Sequence, residues 1–155
     1  MTPIFVYGTL RSSAVRHALL NKSTRAQDGV FVRGFKSLSV AGCVYPGIIS
    51  TQSTSENDDI VHGSLIYDLN EEDMAILALF EDEYRLEDVM VYSDVGSDPV
   101  RAKLYLWNLS IDRLDMNQPW NYETSFLAVA GLEKQFAANA AAFRQQALLQ
   151  LQNTH

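Results

Sequence analysis

Three short stretches of this chain carry residues whose types and spacing can do chemistry: Tyr7-Gly8-Thr9-Leu10-Arg11, Tyr45-Pro46-Gly47-Ile48 and Phe80-Glu81-Asp82-Glu83-Tyr84. In the first, a glycine turn between a strand and a helix frees backbone N–H groups that no ladder uses, and such groups hold a carboxylate or an oxyanion. The alternative is that Gly8 only makes the turn. In the third, Glu81, Asp82 and Glu83 lie where a predicted helix ends. Like charges and a helix C-terminus both raise carboxylate pKa values, moving one toward the range useful for proton transfer near neutral pH. A solvated acidic patch is the competing reading of the same run.

Other ionisable groups add little. Arg11 can pair with a substrate carboxylate or sit solvated at the start of a surface helix; both readings stand. His17, His62 and His155 are scattered without ligand spacing, and His62 is expected to face solvent or accept a hydrogen bond, so no metal is assigned. Cys43 is the only cysteine, which excludes an intrachain disulfide and paired-thiolate zinc sites; between Gly42 and Val44 it reads as a small buried hydrophobe.

The elements that must position these residues follow from periodicity. Pro3–Tyr7 is an apolar run stopped by Gly8, and Ser12 or Ser13 caps a helix with Val15, Ala18, Leu19 and Leu20 on one side. Gly29–Val44 predicts one bent or two short strands, punctuated by Pro46-Gly47. Ser50–Asp59 has the composition of a mobile solvated loop. Val61–Leu69 alternates as a strand. Asn70 with Asp73 predicts a capping arrangement for a helix from Glu71 to about Phe80, with Met74, Leu77 and Phe80 facing the core. Leu86–Tyr92 and Arg101–Leu109 predict a hairpin joined by Gly96-Ser97-Asp98-Pro99. From about Tyr122 to Gln150 the composition is helical, with Phe126, Val129, Leu132, Phe136, Ala140 and Phe143 at helical spacing on a packing face, Gly131 as a break and fraying after about Leu151.

At 155 residues, 47% apolar and 20% charged, the chain predicts one globular domain over 1–155, with no repeat or linker. The irregular order of strands and helices favours a mixed α+β domain over a doubly wound parallel sheet. A net charge of −7 and a pI near 4.8 oppose nucleic acid and anionic membrane surfaces as partners. Neither a basic leader followed by an apolar run nor a stretch of about 18 apolar residues occurs, and with the single cysteine this predicts a cytoplasmic protein.

F-V-Y-G-T-L-R, Y-P-G-I, V-H-G-S-L-I-Y, L-F-E-D-E-Y, L-Y-L-W and P-W-N-Y-E-T-S-F occur here in that order. In these pieces, spanning about Pro3 to Phe126, the sequence resembles the γ-glutamylcyclotransferase superfamily, especially its plant avirulence-induced-gene-like branch. The resemblance implies a small mixed β-barrel flanked by a few helices; the long helix over 127–155 is an extension that it does not place. It also implies a metal-independent, cofactor-free enzyme of glutathione-related metabolism that releases 5-oxoproline from a γ-glutamyl amine or amino acid. Carried over by motif, Tyr7, Gly8, Thr9 and Leu10 bind the γ-glutamyl group with Tyr84, and Glu81 is the acid/base. The family commonly has Gly after that Glu and Tyr four residues beyond it; here Asp82 follows and Tyr84 is three beyond, so Glu83 remains a second candidate. A non-catalytic small-molecule binding module on the same scaffold is the alternative function.

Overall fold

The computed structural model describes residues 2–51, 59–96 and 98–153. Five strands close into a barrel: β1 (Ile4–Val6), β5 (Ile60–Tyr67), β2 (Arg25–Arg33), β6 (Tyr84–Ser93) and β7 (Val100–Trp107), in that order around it. β1 joins the ring antiparallel to β5 and parallel to β7, so the N-terminal strand closes the structure. A second sheet of β4 (Pro46–Ser50), β3 (Phe35–Val40) and β8 (Leu114–Pro119) stands beside it. Three α-helices flank these sheets: α1 (Ser13–Leu20), α2 (Glu71–Phe80) and α3 (Leu132–Gln152). The expected mixed α+β barrel with a long C-terminal helix is the architecture observed.

Alternation along β1 divides the core. Successive strand side chains point to opposite faces, so Phe5 and Tyr7 enter the barrel with Val32, Leu65 and Leu104, while Ile4 and Val6 face the layer under the helices with Leu19, Ile76 and Phe126. β7 repeats the division: Leu104 and Leu106 point inward and Tyr105 points toward the helices.

Local chemistry explains the helix boundaries. The Ser12 hydroxyl accepts from the Val15 amide and caps α1, and Asn70 and Asp73 form a reciprocal capping box at the start of α2. On α2, Ile76 and Leu77 are fully packed, with Met74 and Phe80 half-buried beside them. The predicted C-terminal helix is interrupted: a π-helical turn at Tyr122–Leu127 is followed by Gly131, whose φ of 76° sets the chain for α3. α3 runs on to Gln152, one residue past the point where fraying was expected.

One open alternative among the strand expectations is decided, and the readings of Pro46-Gly47 and Cys43 need correction. Gly29–Val44 forms two strands that part at Gly34 into different sheets, the first starting earlier, at Arg25. Pro46-Gly47 is the first pair of β4 rather than a turn, consistent with the tolerance for proline at a strand's start. The turn lies just before it, where Gly42 takes φ 75° and leaves Cys43 exposed, not buried as expected. β6 and β7 pair as the expected hairpin; Ser97 of its connection and residues 52–58 of the expected loop lie outside the described residues. No described helix is long and apolar enough to cross a membrane.

Candidate active site

β1 runs into a single 3-10 turn at Thr9–Arg11 before α1 begins. The turn's bonds start with Arg11 N–H to the Gly8 carbonyl at 3.0 Å and Ser12 N–H to Thr9 at 3.1 Å, so the amides of Thr9 and Leu10 precede the first turn bond. Thr9 and Leu10 are both buried. Gly8 has φ −113° and ψ −137°, a negative φ rather than the left-handed one that favours glycine. Its requirement is space: a Cβ there would lie 3.0 Å from Cδ and Cγ of Pro46. The glycine therefore lets the turn lie against the start of β4, a different reason from the sharp bend its sequence suggests.

A cavity of about 190 Å³ opens beside this turn. Tyr7 through Leu10 form one wall and Glu81, Glu83 and Tyr84 another, so all six sequence-predicted site residues, Tyr7, Gly8, Thr9, Leu10, Glu81 and Tyr84, line one space. The elements explain the meeting. Tyr7 directly follows β1, and Glu81 terminates α2, with its N–H bonded to the Leu77 carbonyl at 2.8 Å.

Glu81 is the electrostatic outlier. Desolvation by its surroundings, followed by repulsion from Glu83 and Asp82, pushes its pKa up from 4.5 to about 8. The negative end of α2 acts in the same direction. Its carboxyl accepts no hydrogen bond from a described residue. Burial first, and the Glu81 charge second, raises the pKa of Tyr7 and of Tyr105. Tyr84 is raised chiefly by burial, with smaller contributions from Tyr7, Glu81, Tyr45 and Glu83. The carboxyl thus sits among phenols that stay neutral.

Those phenols are held by the scaffold. The Tyr7 hydroxyl donates to the Tyr105 carbonyl at 2.6 Å, and the Tyr84 hydroxyl donates to the Pro46 carbonyl at 2.6 Å. The Tyr84 ring meets Trp107 edge-on, with centroids 5.4 Å apart. Tyr84 therefore ties the acidic run to the start of β4 despite the shortened spacing. Glu83 is engaged differently: Tyr45 Oη donates to its Oε1 at 3.0 Å, with Oε2 at 3.3 Å.

The sequence profile described as "Gamma-glutamyl cyclotransferase, AIG2-like" matches residues 4–125. The chain belongs to this cyclotransferase family. AIG2-like protein D of Arabidopsis thaliana is 31% identical over 125 residues, covering 79% of this chain and 78% of that one. The solution structure of an Arabidopsis thaliana protein superposes with a TM-score of 0.63 at 22% identity, over 79% of this chain and 78% of that one. A crystal structure of a Mus musculus AIG2-like protein gives 0.55 at 20% identity, over 78% and 88% of the two chains. These structural likenesses establish the fold, and the family profile establishes membership.

Within this AIG2-like cyclotransferase fold, several cavity residues escaped the sequence reading as site residues. Tyr45 and Pro46 come from β4 and the turn before it, Tyr105 from β7, and Phe136 and Phe143 from α3. Tyr45-Pro46 stood out as a turn and Tyr105 sits in the L-Y-L-W stretch, but nothing local marks α3 as a contributor. Arg11 takes neither sequence-expected role cleanly: its side chain is mostly buried, its Cζ lies 4.6 Å from the Tyr122 ring centroid, and Glu123 is 3.9 Å away. His62 is exposed on β5 as expected.

Proposed function

We propose that this protein is a metal-independent γ-glutamyl cyclotransferase with Glu81 as its acid/base. The observation that carries this reading is Glu81 itself: a carboxyl with no hydrogen-bond donor among the described residues, pushed up to about 8, in the same cavity as the Tyr7–Leu10 turn.

The reaction suits so spare a site. The α-amine nitrogen of a γ-glutamyl amide attacks its own γ-carbonyl carbon, a five-membered lactam forms, the amide C–N bond breaks, and 5-oxoproline and a free amine result. Nucleophile and electrophile share one molecule, and orientation alone can contribute about 7–11 kcal/mol. Glu81 takes the proton from the α-amine and returns it to the leaving nitrogen. A base whose pKa approaches that of the amine it serves exchanges protons with a small energy difference in either direction. Amides of the Gly8–Leu10 turn bind the developing oxyanion or the substrate carboxylate. A non-catalytic binding role would suit a Glu81 turned away from the cavity; its place in the lining supports catalysis instead.

The test is to incubate the purified chain with γ-glutamyl amines and γ-glutamyl peptides, with and without a chelator, and to assay 5-oxoproline. Release that survives chelation is the expected result. Release abolished by the chelator and restored by one metal would overturn the metal-free mechanism, and no release from any substrate would overturn the activity.

A further inference from the structure

α3 starts beyond the residues matched by the family profile, yet it builds part of the cavity. Phe136 and Phe143 are seven residues apart, two helical turns, and so share one face of α3. Phe80, the residue immediately before Glu81, meets both rings edge-on: centroids are 5.2 Å apart with Phe143 and 6.3 Å apart with Phe136, at interplanar angles of 79° and 86°. All three side chains line the cavity and none is fully buried. The cluster therefore keeps ring surface available to a ligand.

The helix is anchored where it needs to be for this purpose. Ser12 Oγ, at the cap of α1, donates to Glu133 Oε2 at 2.6 Å, and Arg144 donates to the Leu19 carbonyl at 3.0 Å. Ala140 and Ala147 are buried on the packed face, and such small residues let α3 lie close to its neighbours. Phe143 is thus positioned by contacts to α1, one end of which is the turn proposed to hold the γ-glutamyl group.

The charges of the cavity narrow the ligand. Its ionisable carboxyls are Glu81 and Glu83, and among the described residues no Lys, Arg or His lines it. A leaving group bearing its own carboxylate would meet like charge with no counter-ion. A cationic leaving group is attracted by those carboxyls, but to sit on the wall itself it would have to shed water against phenyl rings, the weaker aromatic partners of a cation compared with Trp. An apolar amine instead transfers hydrocarbon from water onto ring surface.

We propose that the Phe80, Phe136 and Phe143 wall selects the leaving group, making this enzyme specific for γ-glutamyl amides of uncharged, apolar amines. This rests on the cyclotransferase reading above. The probes are the γ-glutamyl amides of benzylamine, methylamine and putrescine, together with γ-glutamylglycine, compared by kcat/KM. The benzylamide is expected to lead each of the others by about 10-fold or more, the scale of burying about two methylene equivalents. Phe143→Ala should lower kcat/KM for the benzylamide about 10-fold more than for the methylamide, mostly through KM. Phe143→Leu, which keeps apolar bulk and helix packing, should recover much of that difference. Putrescine or glycine leaving as well as benzylamine would overturn the proposal, as would equal losses on benzylamide and methylamide in Phe143→Ala. If no amide yields 5-oxoproline, the cyclotransferase reading falls separately. Calorimetry then decides the wall: tighter binding of benzylamide than of methylamide supports it, and equal binding overturns it.

Discussion

Glu81 and Glu83 are two residues apart in one acidic run, and hydrogen bonding separates their surroundings. Glu83 already accepts from Tyr45, an interaction that fixes the position of its side chain. Glu81 has no such donor and is held toward its protonated form by desolvation. Glu81→Gln keeps the side chain's size and removes the transferable proton, so turnover should fall by roughly 10²–10⁴-fold with a smaller change in substrate binding. Glu83→Gln should fall much less; steady-state assays of both variants that gave the opposite order would move the acid/base role to Glu83. The pKa also fixes a pH dependence. The base must be ionised in the free enzyme, so kcat/KM should climb with pH and level off above about 8, and the Glu81→Gln profile should lack that limb. A wild-type limb near pH 4.5, the ordinary carboxyl value, would contradict the environment described here. The place of Glu81 in the cavity lining was legible because helix end, charge run and motif coincide on one residue. The engagement of Glu83 was not, since its partner Tyr45 lies 38 residues away.

At the scale of elements, the site depends on how closely the turn after β1 approaches β4. The φ of Gly8 is negative rather than left-handed, and what a side chain there would meet is the Pro46 ring. Pro46 is also the acceptor for Tyr84, so that push reaches the acidic run. Gly8→Val should therefore destabilise by about 1–3 kcal/mol as overpacking does, and weaken binding of a γ-glutamyl ligand more than that loss explains. Thr9→Ala keeps the backbone donors and should be milder by about an order of magnitude in binding. Calorimetry beside thermal melts checks both; a folded Gly8→Val protein with normal affinity would remove the turn from the site. The sequence made β1, α1, α2 and the β6–β7 hairpin legible because period and caps are local signals. β8 was not expected: its central stretch, Asp115 to Gln118, lacks alternation, and it becomes a strand through pairing with β3. Phe136 and Phe143 read as a packing face because helical spacing cannot say which rings a face will meet.

For the whole molecule, the same carboxyl links function to stability. Glu81 titrates near its ordinary value of 4.5 when unfolded and at about 8 when folded, so between these the native state binds the proton more readily than the unfolded state. Its protonated form stabilises the fold fully below about pH 4.5. That contribution is lost progressively as pH rises through the window to about 8, because the native protein must then either keep a desolvated charge or open to hydrate it. The net charge of −7 opposes any further ionisation in the same direction. Gln at position 81 has the shape of the protonated acid and never ionises. Melting wild type and Glu81→Gln from pH 5 to pH 9 should therefore give nearly equal midpoints at the acid end and an advantage for the variant that grows toward the alkaline end, even as the variant loses turnover. The opposite trend, with wild type gaining on the variant as pH rises, would mean that the ionised carboxylate is the form the fold stabilises and that Glu81 has a donor or counter-ion holding it.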